Sequence, residues 1–114
     1  MPLISLVCIR ASDPDRLARF YSSFGMQFVR EKHGGGPEHY SCSMGGSVFE
    51  IYPSVPSEPE TRATRLGFTV DSIERVIGGL PADACVINAP KNTRWGRRAV
   101  IQDPEGHKVE LLEQ

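Results

Sequence analysis

The chain has 114 residues, a length that suits one compact domain with a core of modest size. Apolar residues make up 39% and charged ones 24%, a soluble globular composition, and 13 basic against 14 acidic side chains leave a net charge of −1. That balance supplies no general attraction to nucleic acid or to an anionic membrane surface, and no apolar run is long enough to span a bilayer.

Met1-Pro2-Leu3 enters a strand pattern at once, without the layout of a signal peptide. Cys8, Cys42 and Cys85 are odd in number and widely spaced, and they read as ordinary reduced core thiols of a cytoplasmic protein. Leu3 to Arg10 alternates as a strand. Ser12-Asp13-Pro14-Asp15 starts a helix, with either Ser12 or Asp13 as the cap. Leu17, Phe20, Tyr21 and Phe24 then form one apolar stripe, which Gly25 ends. Met26 to Lys32 is a second strand, followed by the flexible connection from His33 to His39. Its glycines are no phosphate loop, because neither Gly-Lys-Ser/Thr nor a helix follows. Its two histidines lack a third metal ligand in the sequence. Tyr40 to Met44 and Ser47 to Tyr52 make a hairpin about Gly45-Gly46, and the proline-rich run from Pro53 to Glu60 is a linker.

The pattern then restarts. Arg65 to Val70 is a strand, Asp71-Ser72-Ile73-Glu74 has the spacing of a capping box, and Ile73, Val76, Ile77 and Leu80 repeat the helical stripe. Ala82 to Asn88 is a strand, Ala89 to Gly96 a loop, and Arg97 to Gln102 enters a closing hairpin. That hairpin turns at Asp103-Pro104-Glu105-Gly106, where Asp bonds nearby backbone, Pro presets φ and Gly accepts positive φ. Gly46 and Glu50 recur as Gly106 and Glu110, sixty residues later in each case, which points to duplication.

Two βαβββ modules, 1–58 and 61–114, each with a Glu in its last strand and the second closed by Asp-Pro-x-Gly-x-x-x-Glu-Leu, resemble the vicinal oxygen chelate superfamily of glyoxalases, bleomycin-resistance proteins and extradiol dioxygenases. The opening run from Val7 through Ser12-Asp13 to Phe20-Tyr21 carries the rest of the likeness. The resemblance implies an α+β fold in which the two tandem modules form a curved sheet around a small-molecule cavity, and it implies a homodimer. Metal-dependent members place ligands on the first and last strand of each module; by position these are Leu6, Glu50, Arg65 and Glu110. Leu6 offers no donor atom, and Arg65 is a permanent cation. The expectation is therefore a cavity without a metal or other cofactor; a divalent ion held by Glu50 and Glu110 is the alternative.

Alternation places Cys8 with Leu6, and Tyr52 with Glu50, on the inward faces, with Tyr40 and Trp95 as aromatic walls. Arg65 is expected to stand in for the ion, bonded to Glu50, Glu110 or both. The basic run from Lys91 to Arg98 around Trp95 reads as a solvated loop or as a lid for an anionic or aromatic ligand; nucleic acid is not expected there. The expected function is metal-free binding of a small organic molecule. The alternative is a lyase, isomerase or dioxygenase-type enzyme with an altered or absent metal site, using Glu50 or Glu110 as base. A third reading is a structural or regulatory domain with a vestigial cavity.

Overall fold

The computed structural model describes residues 1–114, and the chain divides into two compact units, Met1–Thr61 and Arg62–Gln114. The first runs β1 (Leu6–Ala11), α1 (Pro14–Ser22), β2 (Val29–Glu31), β3 (His39–Met44) and β4 (Ser47–Pro53). Its sheet order is β1-β4-β3-β2, with β1 parallel to β4 and the other pairs antiparallel. Asp13 is the helix cap, accepting from Arg16 N at 3.1 Å with Pro14 in the first turn, which decides between the two sequence registers. Leu17, Phe20 and Tyr21 are buried, and the Tyr21 ring meets Phe49 edge-on at 5.3 Å. Ile9, Ala11, Phe49 and Ile51 complete this core from the sheet, each buried large side chain contributing about 1.5–3 kcal/mol. β2 is shorter than expected: it pairs with β3 over three residues, and β3 begins at His39, directly opposite Glu31.

The second unit repeats the plan with β5 (Arg65–Val70), α2 (Ile73–Gly78), β6 (Cys85–Thr93), β7 (Gly96–Gln102) and β8 (Lys108–Glu113), ordered β5-β8-β7-β6. The registers correspond as well. Cys8 lies opposite Glu50 and Gly67 opposite Glu110 in the two parallel pairs. Two sequence expectations need correction. The cap of α2 is Ser72, not Asp71: its hydroxyl accepts from Arg75 N, while Glu113 reaches from β8 to accept from Ile73 N at 3.0 Å. The expected loop from Ala89 to Gly96 is mostly strand, with Lys91, Asn92 and Thr93 pairing with Arg98, Arg97 and Gly96. Pro90 hid this continuation; it is tolerated because β6 is an edge strand whose register shifts twice, between Val86 and Asn88 and between Asn88 and Lys91.

The closing turn is as the sequence describes it. The Asp103 carboxylate accepts from the backbone N–H groups of Glu105 and His107 and from His107 Nδ1, and both side chains are buried. Gly106 takes φ +103°, which a side chain would strain.

Candidate functional site

Within the first unit, Leu6, Cys8, Glu50 and Tyr52 share the sheet face opposite α1, as alternation requires. Leu6 and Cys8 are exposed, whereas Glu50 is mostly covered. Burial pushes the Cys8 thiol above its ordinary value, and the facing Glu50 carboxylate adds to this while Arg10 opposes it. The Tyr52 phenol is raised for the same two reasons, burial first and then Glu50.

A row of directly opposed residues crosses this face. Arg10 pairs with Tyr52 and its guanidinium sits 5.5 Å from that ring; Tyr52 stacks on His39 at 4.2 Å with planes 8° apart; His39 pairs with Glu31. His39 Nε2 lies 3.7 Å from Glu50 Oε2 and 3.5 Å from Glu31 Oε1, and His33 Nε2 lies 3.5 Å from that same Glu31 oxygen. The expectation that the two histidines lack a third ligand is thus corrected. Glu31 brings a third potential ligand atom within 4.8 Å of those of the two histidines, and His39 is no loop residue but a buried strand residue.

Tyr40 follows His39 in β3 and therefore points the other way. Its hydroxyl donates to Asp15 on α1 and accepts from Arg30 at 2.9 Å, so it does not join Glu50 and Tyr52. That hydroxyl, with Arg30 beside it, holds the Asp15 carboxyl below its ordinary value.

In the second unit Glu110 is bonded, but not by the arginine the sequence nominates. Arg98 Nε donates to Glu110 Oε1 at 2.6 Å, because Arg98 pairs with Leu112 and so shares the face of Glu110. This bond holds the Glu110 carboxyl below the usual carboxylate value against the opposing effect of burial, and Arg65 adds only a lesser, longer-range pull. Arg65 itself is exposed and sits opposite another cation, Lys108. Trp95, 68% exposed, occupies the two-residue turn between β6 and β7 with the Arg94 guanidinium 4.5 Å from its ring. Arg97 pairs with Glu74. The basic run is therefore a hairpin whose three arginines already face partners, not an open loop.

Sequence reasoning missed Glu31 and the Arg98–Glu110 pair, and weighed His39 only as a loop histidine. The available signal was the repeat: counted from the paired last strands, His39 and Arg98 occupy equivalent positions, as do Glu31 and Lys91.

A sequence profile described as the Glyoxalase/Bleomycin resistance protein/Dioxygenase superfamily matches residues 3–111. The chain belongs to this superfamily. No curated protein sequence matches it. Among solved structures, TnmS3, described as an antibiotic binding protein from Streptomyces sp. CB03234, is 22% identical, with 99% of this chain and 96% of that chain covered and a TM-score of 0.78. A glyoxalase/bleomycin resistance protein from the same Streptomyces strain is 22% identical over 97% and 100% of the two chains, with a TM-score of 0.75. The oxidase ChaP-H2 is 17% identical over 99% and 94%, with a TM-score of 0.78. All share the fold.

The superfamily's metal positions do not fit an ion in this chain. Leu6 is aliphatic, Arg65 is a fixed cation, and the Glu110 carboxylate is bonded to Arg98.

Proposed function

We propose that this member of the glyoxalase/bleomycin-resistance superfamily binds a small organic molecule without the superfamily's metal ion. The ligand-contacting groups are Leu6, Cys8, Glu50 and Tyr52 on the open face of the first unit; in the second unit, taken by itself, Arg65 and the Arg98–Glu110 pair are the candidate contacts. Trp95, stacked with Arg94, is a further aromatic contact. The observation that carries the reading is the guanidinium bonded to Glu110 where a metal-dependent relative needs a free carboxylate. The antibiotic-binding description of TnmS3 supports it from outside the chain. The exposed side chains of Leu3, Ile4, Leu6, Val86 and Ile87 support a homodimer, since a second copy would cover them. The three free cysteines fit a reducing, cytoplasmic setting.

The test is a thermal-shift screen of antibiotics and metabolites in metal-free buffer, because a ligand bound only to the native state raises Tm. A hit should retain its shift with chelator present and lose most of it in Glu50→Gln or Tyr52→Ala. A panel in which every shift requires added metal would overturn the reading.

An enzymatic reading is favoured by one observation, the retained Glu50 beside an imidazole, which has the composition of a general base with its partner. It expects turnover of a hit compound, abolished in Glu50→Gln.

A further inference from the structure

The first unit contains a His/Glu cluster that lies away from the superfamily's metal positions except for Glu50. We propose that Glu31, His33 and His39 form a three-ligand binding site for a borderline divalent transition metal of the Zn²⁺ class, with Glu50 beside His39. The one buried polar side-chain atom in the chain without a hydrogen bond is His39 Nε2, on a residue 2% exposed. Two carboxylate oxygens approach it at 3.5 and 3.7 Å, too far or too poorly aligned to bond it.

The orientation of this imidazole is fixed from the other side. His39 Nδ1 lies 3.2 Å from the Pro37 carbonyl oxygen, which can only accept, so Nδ1 donates there and Nε2 is the nitrogen turned to the carboxylates. Two carboxylates converging on one buried nitrogen call for a cation between them, and a metal ion bound at Nε2 supplies it. A backbone acceptor on the far nitrogen is also the arrangement by which metal-bound histidines are held. Tyr52, stacked on the ring, prevents it from turning away.

The spacing fits a small ion. Four ligands about 2.1 Å from a tetrahedral Zn²⁺ stand about 3.4 Å apart. The pairs His33–Glu31, His39–Glu31 and His39–Glu50 stand at 3.5, 3.5 and 3.7 Å, and the Glu31, His33 and His39 ligand atoms all lie within 4.8 Å of one another. Two imidazoles with carboxylates are a donor set that suits Zn²⁺ better than the hard cations Mg²⁺ or Ca²⁺. The chain between the ligands is shaped to bring them together. Gly36 N donates to His33 O at 3.0 Å with Gly34 at φ +58°, closing a turn that lays the His33 ring 5.2 Å from the His39 ring.

The second unit shows what the same place looks like when a protein cation fills it. At the positions equivalent to Glu31 and His39 it has Lys91 and Arg98, and Arg98 bonds Glu110 directly. The first unit keeps the last-strand carboxylate and replaces the guanidinium with a metal donor.

The experiment uses the untagged full chain, loaded with Zn²⁺, dialysed against metal-free buffer at neutral pH and analysed for metal, with a parallel Co²⁺ titration read by visible absorption. The expected result is one ion per chain, an intense tetrahedral-type Co²⁺ spectrum and a raised Tm. His33→Ala and Glu31→Gln, at accessible positions that leave the core intact, should each weaken binding about 100-fold or more, since even indirect supports of a metal site are worth 10–100-fold. Absence of stoichiometric metal would overturn the proposal. Binding that survives both variants but is lost in Glu110→Gln would equally overturn it, by placing the ion at the superfamily's own positions.

Discussion

A carboxylate on a strand face shared with other side chains needs a counter-charge, and the two repeats differ in what stands beside it. In the second unit Arg98 Nε meets Glu110 at 2.6 Å; in the first, the equivalent residue is His39, whose Nε2 stands 3.7 Å from Glu50 and unbonded. Arg65, the cation that strand position alone nominates, faces Lys108 and solvent instead. Removing Arg98 should therefore matter and removing Arg65 should not. Arg98→Met is expected to destabilise by about 1–2 kcal/mol in urea denaturation, between the 0–1 of exposed pairs and the 3–5 of buried ones, because both side chains are partly exposed. Arg65→Met should change stability by less than about 0.5 kcal/mol. The sign of the pH effect follows from the lowered carboxyl. Arg98 from β7 and, more weakly, Arg65 from β5 favour the ionised form, so the Glu110 contribution is present above the ordinary Glu range and fades as pH falls through the lowered folded value. The difference between wild type and Arg98→Met should shrink accordingly in acid.

Single turns govern how the strands meet. Asp103 was legible as a turn former from Asp103-Pro104-Glu105-Gly106 alone, since its bonds to the Glu105 and His107 backbone N–H groups are local. That His107 would be fully buried and bonded to the same carboxylate was not, because burial depends on what packs around the turn. Asp103→Ala leaves His107 and two backbone N–H groups without their acceptor in a buried site and is expected to cost about 3–5 kcal/mol, measured by urea denaturation. Other elements were misjudged for equally local reasons. Pro90 disguised the continuation of β6, whose edge position lets it carry a proline, and the triple glycine from Gly34 to Gly36 disguised a defined turn as a flexible connection.

Across the whole molecule, exposed Leu3, Ile4, Leu6, Val86 and Ile87 leave apolar surface uncovered, and two open four-stranded sheets leave edges. A second copy is the expected cover. Sedimentation equilibrium at micromolar concentration should give twice the 12.6 kDa chain mass, and Leu6→Glu should shift the balance toward monomer. A wild-type mass of one chain at that concentration would remove the dimer.

The sequence by itself determined most of the elements, their order and the duplication with Glu50 and Glu110 in matching strands; on these the resemblance to the superfamily rested. These rest on period, capping and turn chemistry that act within a few residues, or on a repeat visible without folding. Alternation also fixed which face each strand residue takes, so Leu6, Cys8, Glu50 and Tyr52 were correctly grouped, and the same rule put Tyr40 opposite them once β3 was known to include His39. Only the tertiary structure decided which side chains become neighbours on a face. Pairing β3 to β4 and β2 to β3 in one register is what sets His39 beside Glu50 and Glu31, and pairing β7 to β8 is what gives Glu110 to Arg98 rather than Arg65. A turn can fix the register of its own hairpin, but which side chains then meet across a face spanning several strands depends on all the pairings together, and no single strand's pattern carries that.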